Sequence, residues 1–143
     1  MRRRRDHTRP SRGGYDFNED NLFENSLEFE IDFYKGVLEG DPENVDILSL
    51  LGNLYTEAGE YEKGLEIDRK LVGMRPDDPV VRYNLACSYS LMKHPHEALD
   101  ELERAIELGY NDYIHLRSDS DLDGIRSEPR FKALVKKLLH KIQ

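Results

Sequence analysis

The sequence predicts an all-α fold, a solenoid built from antiparallel helix pairs. Residues 45–78 and 79–112 are two stretches of equal length that align without a gap, so that Leu51 falls on Leu85. A period of about 34 residues is typical of helix–turn–helix repeats, which bury their apolar faces by stacking on one another. Apolar residues within each copy also recur three or four residues apart, the spacing of one helix face.

Proline and glycine residues divide each copy into two helices. In the first copy we expect a helix that starts at residues 41–43 (Asp-Pro-Glu), continues to about Ala58 and is ended by Gly59. The second helix is expected from about Tyr61 to Gly73. The second copy repeats this division, with a proline near the start of each helix.

Each copy carries part of a spaced pattern of apolar, small and aromatic residues, and three of these residues, Leu51, Gly52 and Tyr55, fall on Leu85, Ala86 and Tyr89. The pattern comprises Leu48, Leu51, Gly52, Tyr55, Gly59, Tyr61 and Pro76 in the first copy, and Leu85, Ala86, Tyr89, Ala98, Leu102 and Ala105 in the second. This spaced set resembles the tetratricopeptide repeat (TPR) family. The resemblance implies a right-handed TPR-type α-solenoid, in which the consensus residues pack helix on helix and the first helices line a concave groove. Asp68 departs from the pattern, because the family has an aromatic residue there.

The regions on either side of the repeats differ from them in composition. Residues 1–19 are polar, rich in arginine and without periodicity, which predicts a disordered basic arm. Residues 20–40 predict an N-terminal capping helix, the second helix of a repeat whose first helix is missing. After the two repeats at 41–110, residues 111–143 predict a C-terminal capping segment that ends in an amphipathic helix. Residues 20–143 would then form a single TPR domain.

Charge is distributed unevenly along the 143 residues, whose net charge is −8. Residues 1–13 hold six arginines and one aspartate, whereas residues 14–62 hold fourteen acidic residues and one lysine. The arm offers cations that nucleic acid could attract through its phosphates, but a solvated tail is the simpler interpretation. Nucleic acid is therefore not the expected partner.

The composition also bears on location. No apolar run approaches the roughly 20 residues of a membrane span, and no apolar segment follows the first arginines as it would in a signal peptide. Cys87 is the only cysteine, so an intrachain disulfide is excluded. The sequence predicts a cytoplasmic protein without membrane association.

Three patterns resemble parts of metal-binding or catalytic sites, but none has all the residues that such a site needs. Residues 119–124 (DSDLDG) resemble the start of a calcium-binding loop, but Arg130 stands where that loop needs a bidentate glutamate. His94 and His96 lack further metal ligands nearby in sequence, and Cys87 lacks an assignable partner for nucleophilic chemistry. No nucleotide-binding or hydrolase motif is present. The sequence therefore predicts no enzyme, no cofactor and no metal site, and the aspartate-rich link is interpreted as helix capping.

The groove implied by the TPR resemblance supplies the candidate binding site. Two of its residues, Asn53 and Asn84, can hydrogen-bond to a peptide backbone. Leu50, Tyr83 and Leu91 can offer apolar anchors. The outward-facing positions of the two first helices are Asp46, Ser49, Leu50, Asn53, Thr56, Glu57, Val80, Tyr83, Asn84, Cys87, Ser90 and Leu91.

The expected partner is a protein or peptide, and Asp46 and Glu57 favour a basic one. Asn53 and Asn84 also stand at the two asparagine positions of the clamp by which some TPR co-chaperones hold a C-terminal carboxylate, but Ser49 replaces the lysine that such a clamp needs. Two full repeats are few for a stable stack, so pairing of the chain with itself is an alternative. The sequence thus predicts a non-catalytic adaptor or assembly factor, with a self-associating scaffold, or nucleic-acid association through the arm, as alternatives.

Overall fold

The computed structural model describes residues 19–143, with side chains from residue 25 onward, and this part of the chain is almost entirely helical. The predicted arm lies outside the described residues, except for Glu19. No strand occurs within residues 19–143, and the all-α prediction is confirmed. A single 3₁₀ turn, Ser120–Leu122, precedes the last helix of this part. The helices are α1 (Glu19–Gly40), α2 (Val45–Glu57), α3 (Tyr61–Met74), α4 (Pro79–Leu91), α5 (Pro95–Glu107), α6 (Tyr113–Ser118) and α7 (Pro129–Ile142).

Each helix packs mainly on its neighbours in sequence, as expected of a stacked repeat. Helices α2 and α3 form one pair and α4 and α5 the next, and α3 packs on α4 to join the pairs. Helix α1 packs on α2 at one end of the stack, and α7 packs on α5 and α6 at the other. None of the helices in residues 19–143 combines the length and the apolar character needed to cross a membrane.

The start of α2 differs from the prediction. The helix begins at Val45, and its N-cap is Asn44, whose Oδ1 accepts a hydrogen bond from the backbone N–H of Ile47 at 3.1 Å. Asp41, the predicted cap, instead accepts from the Asn44 Nδ2 at 3.0 Å and holds the capping side chain in place. The other first helix, α4, begins at Pro79, in agreement with the proline predicted near its start, and Asp78 is its N-cap.

The small residues of the repeat pattern allow α2 and α3 to approach closely. A Cβ atom added to Gly52 would lie 3.1 Å from the Ile67 side chain, and one added to Gly64 would lie 3.2 Å from the Thr56 hydroxyl. A larger side chain at either position would push the helices of this pair apart. The close packing of α2 on α3 therefore explains why glycine occupies these two positions.

Three clusters of buried apolar side chains hold the stack together, and they differ in size. The largest contains fifteen buried residues from α4 to α7, including Leu116, Leu122 and Ile125 of the C-terminal segment. This segment is therefore part of the core. The two smaller clusters join α1 to α2 and α2 to α3 and α4; their buried members are Leu27, Ile31, Leu51, Leu54 and Tyr55, and Leu48, Leu71 and Val81.

Candidate functional site

A cavity of about 320 Å³ opens between the two first helices, α2 and α4, and the segment that follows α5. Polar side chains make up most of its wall. Its lining residues are Asn53 and Thr56 of α2, Asp68 of α3, Tyr83, Asn84, Cys87, Ser88 and Leu91 of α4, and His115, Asp119 and Asp121 of the C-terminal segment.

The structure brings half of the twelve predicted groove residues into this cavity. The 3₁₀ turn packs on α4 and forms the outer wall of the cavity. The cavity therefore extends along only part of the two first helices. The six that line the cavity are Asn53, Thr56, Tyr83, Asn84, Cys87 and Leu91. Five others lie outside it, with Asp46, Leu50, Glu57 and Val80 on the exposed surface and Ser49 half-buried.

Ser90 is not on an open surface, which corrects the prediction. Its side chain is buried on α4, and Gly124 of the C-terminal segment lies directly against it. A Cβ atom added to Gly124 would lie 3.4 Å from both the carbonyl oxygen and the hydroxyl of Ser90. Because the C-terminal segment covers this part of α4, Ser90 cannot contact a ligand in the groove.

Tyr83 borders the cavity, but it is not the exposed apolar anchor that the sequence predicts. Its side chain is only 3% exposed and its ring stacks on Tyr110, with centroids 4.3 Å apart and planes 6° from parallel. Its hydroxyl donates a hydrogen bond to Asp119 Oδ2 at 2.6 Å. Burial, reinforced by the negative charges nearby, raises the pKa of Tyr83, so the hydroxyl keeps its proton and acts as a donor.

Asp119 ties the C-terminal segment to α4. Its Oδ2 accepts from Tyr83 and lies 3.2 Å from His115 Nε2 and 3.7 Å from Cys87 Sγ. Its Oδ1 accepts from the backbone N–H of Asp121 at 3.0 Å and so caps the 3₁₀ turn. One carboxylate thus fixes the turn that forms the outer wall of the cavity.

The aspartate-rich link serves capping in the structure. Arg126 donates from Nη2 to the carbonyl oxygen of Asp119 at 2.6 Å and from Nε to Asp123 at 3.3 Å, which closes the link on itself. Among the residues that the structure describes, no three His, Cys, Asp or Glu side chains are grouped so that they could hold a metal ion.

Asp68 is a buried carboxyl at the back of the cavity. It accepts a hydrogen bond from the Ser88 hydroxyl across the contact between α3 and α4. Burial raises the pKa of Asp68 from 3.8 to about 6, and the hydrogen bond from Ser88 opposes this shift only in part. Around neutral pH a mostly ionised carboxylate therefore lies in the protein interior.

Cys87 lies deep in the wall and is not poised for chemistry. Burial raises the pKa of its thiol well above the ordinary value, and the charges of Asp119 and Asp121 add to the effect. The thiol therefore stays protonated at neutral pH, whereas nucleophilic cysteines depend on the thiolate. Its role in the cavity is that of a small buried side chain.

Five lining residues were missed by the prediction, namely Asp68, Ser88, His115, Asp119 and Asp121. For Asp68 a signal existed, since a carboxyl replaces the aromatic residue expected at that position. Ser88 partners it across the helix contact. The other three belong to a segment where the repeat pattern has decayed, so no repeat position identifies them as facing the groove.

Comparisons with known proteins agree with this architecture. Residues 80–109 match the tetratricopeptide repeat family. The chain is 35% identical over 88 residues to a protein of Arabidopsis thaliana whose name describes it as chloroplastic, a match that covers 59% of this chain and 26% of that protein. It is 27% identical over 140 residues to the peroxisomal targeting signal receptor of Pichia angusta, covering 87% of this chain and 24% of that protein. The chain thus spans about a quarter of the length of these curated relatives.

Two solved structures of MamA share the fold. The crystal structure of MamA superposes with a TM-score of 0.65 at 23% identity, covering 90% of this chain and 73% of that one. The structure named MamA MSR-1 C2 gives a TM-score of 0.61 at 17% identity, covering 85% and 72%. At this level of identity the likeness concerns the fold alone. The family match at residues 80–109, the repeat period and the stacked helix pairs all agree with the resemblance to the tetratricopeptide repeat family.

Proposed function

We propose that the protein is a non-catalytic recognition module that binds a peptide or protein partner in the groove, with a lysine or arginine side chain of the partner in the cavity. One observation carries the proposal. Among the residues that the structure describes, the carboxyl groups of Asp68, Asp119 and Asp121 line the cavity, and no lysine or arginine does. The only basic group in this described wall is the imidazole of His115.

The charge of the wall favours a cation as ligand. Carboxylates that face a partly desolvated cavity attract an ammonium or guanidinium group more strongly than they would in bulk water. A guanidinium can also bind a carboxylate through two parallel hydrogen bonds. A charged side chain of a partner would thus enter the cavity with its polar end toward the aspartates.

The rest of the wall suits the stem and the backbone of such a ligand. Asn53 and Asn84 lie on adjacent first helices, and each offers both a donor and an acceptor to a peptide bond. Leu91, half-buried at the edge, offers apolar contact to the methylene groups of a long side chain. These features support a ligand in an extended conformation along the groove.

A C-terminal carboxylate is a poorer ligand for this groove. Asn53 and Asn84 stand in the cavity wall as a clamp would require, but Ser49 lies outside the lining. A negative ligand would meet Asp68, Asp119 and Asp121, and the described wall holds no lysine or arginine to compensate. The basic ligand is therefore preferred over the clamp.

The relatives are consistent with recognition as the general role. The name of the Pichia angusta relative describes a receptor for a targeting signal. Since this chain corresponds to about a quarter of that protein, the signal itself is not transferred to it. A cytoplasmic location stays a prediction.

Selection of displayed random peptides on the 143-residue chain tests the proposal. We expect the selected peptides to be enriched in lysine and arginine, because the cavity wall is acidic. Their affinity, measured by fluorescence anisotropy, should fall by about tenfold or more for the Asn53→Ala/Asn84→Ala variant, as a loss of two hydrogen bonds would give. It should also weaken as salt is added.

The matched control is Asn111→Ala, which removes an exposed asparagine that does not line the cavity. This variant should bind the selected peptides as the unmodified chain does. Enrichment of acidic peptides, or equal binding by the double variant and the unmodified chain, would overturn the proposal.

A further inference from the structure

An apolar stripe on α1 is uncovered. Phe29, Phe33 and Val37 lie one helical turn apart on one face, and their side chains are 72%, 56% and 37% exposed. The opposite part of α1 packs on α2 through other residues, including Leu27 and Ile31. We call the three exposed residues the α1 stripe.

The repeat explains why this stripe has no cover. One period of 34 residues later, Phe33 corresponds to Ile67 and Val37 to Leu71 on α3. Ile67 packs against Gly52 of α2, and Leu71 clusters with Leu48 of α2. Phe33 and Val37 of the α1 stripe thus lie where the first helix of α1's own pair would pack, and the described part of the chain places no such helix there.

The charges around the stripe restrict what can cover it. Helical geometry places Glu30 on one side of the stripe and Asp32 and Glu39 on the other, and all three are exposed. Between residues 25 and 40 the only basic residue is Lys35. Two α1 helices would repel each other on direct contact, so the fitting partner is a helix with a basic face.

The chain carries such a helix at its other end. Helix α7 contains no acidic residue, and Lys132, Lys136, Lys137 and Lys141 are all exposed on it. Helices α1 and α7 lie at opposite ends of the stack, because α1 packs on α2 and α7 on α5 and α6.

We infer that the α1 stripe binds helix α7 of a second copy of this chain. The basic face of α7 would lie between the acidic flanks of the stripe, with the methylene groups of its lysine side chains against the two phenylalanine rings. The two surfaces differ, so the contact is heterologous: a copy that uses its α1 keeps its own α7 available for the next. Copies would therefore join head to tail into open chains, independently of what the groove binds.

Sedimentation of the 143-residue chain over a wide concentration range tests this inference. The mean mass should rise with concentration and fall as salt is added, since the contact depends on charge. The Phe29→Ser/Phe33→Ser variant and the Lys136→Glu/Lys137→Glu variant should each associate about tenfold more weakly or worse. All four residues are exposed, so circular dichroism should show unchanged helix content.

Mixing the two variants gives the decisive result. The first retains an intact α7 and the second an intact α1, so together they should form a one-to-one complex that grows no further. The control is Ile114→Ser, which removes another exposed apolar residue, on α6, and should associate like the unmodified chain. A chain that stays monomeric at all concentrations, variants that do not pair when mixed, or an equal effect of Ile114→Ser would overturn the inference.

Discussion

Replacement of Asp68 by asparagine is expected to stabilise the protein at neutral pH, by up to about 3 kcal/mol. Burial raises the pKa of Asp68 from 3.8 to about 6, and each unit of such a difference corresponds to about 1.4 kcal/mol between the two protonation states. Asparagine has nearly the same shape, carries no charge, and its Oδ1 can still accept the hydrogen bond from Ser88.

The pH dependence follows from the direction of this shift. Because the folded protein binds the Asp68 proton more tightly than the unfolded chain, the stabilising contribution of that proton is fully present below about pH 3.8 and is lost as the pH rises through about 6. The advantage of Asp68→Asn should therefore be absent at low pH, grow between about pH 4 and 6, and stay constant above. Urea unfolding of both proteins across this range measures it.

A surface aspartate provides the control for this prediction. Asp77 is exposed and pairs with Arg104 at 3.5 Å, so Asp77→Asn should change the free energy of unfolding little and alter its pH dependence little. If Asp68→Asn lowered the stability at about pH 7, or left the difference from the unmodified chain constant with pH, the account of a buried titrating carboxyl would be wrong.

Replacement of Asp119 by alanine is expected to destabilise the protein by about 2–4 kcal/mol. The substitution leaves the buried Tyr83 hydroxyl without its acceptor, at a cost of about 1–3 kcal/mol, and removes the cap of the 3₁₀ turn, worth about 1 kcal/mol. Thermal and urea unfolding measure the loss. The exposed Asp123, which pairs with Arg126 at the surface, is the matched control and should tolerate alanine.

A double-mutant cycle separates the two causes of the expected loss. If the orphaned hydroxyl is costly, Tyr83→Phe should recover part of the stability lost in Asp119→Ala, because no buried donor then lacks a partner at this position. Tyr83→Phe alone should destabilise less than Asp119→Ala, since the cap remains. Strictly additive losses in the double variant would show that the two side chains are not coupled.

Most of the fold could be predicted because the repeat constrains it. A fixed period places prolines, glycines and apolar residues at matching positions in two copies, so each copy checks the other. The start of α2 was misplaced, at Asp41 instead of Val45, because aspartate and asparagine cap helices about equally well and both precede the helix. Only the hydrogen bond from the Ile47 backbone decides between them.

The candidate site could be predicted only in part. The repeat positions identified Asn53, Asn84 and Leu91, which depend on the first helices alone. Ser90 was misplaced because its exposure depends on Gly124, a residue in the segment where the period is lost. Contacts between a repeat and the C-terminal segment depend on tertiary packing. Residue spacing and composition in a single sequence do not predict them, because this segment has lost the repeat period.

The unequal size of the core clusters has a consequence for local opening. Helices α4 and α5 lie in the cluster of fifteen buried residues, whereas α1 is attached to the stack through a few side chains packed on α2. In a stack that contacts only neighbours, the end with the smaller core unfolds locally at lower free energy. Amide protons of α1 should therefore exchange with solvent faster than those of α4 and α5, and native-state hydrogen exchange by mass spectrometry would resolve the two. A partner bound at α1 would slow the exchange there, and equal protection of all three helices would mean that the stack opens as one unit.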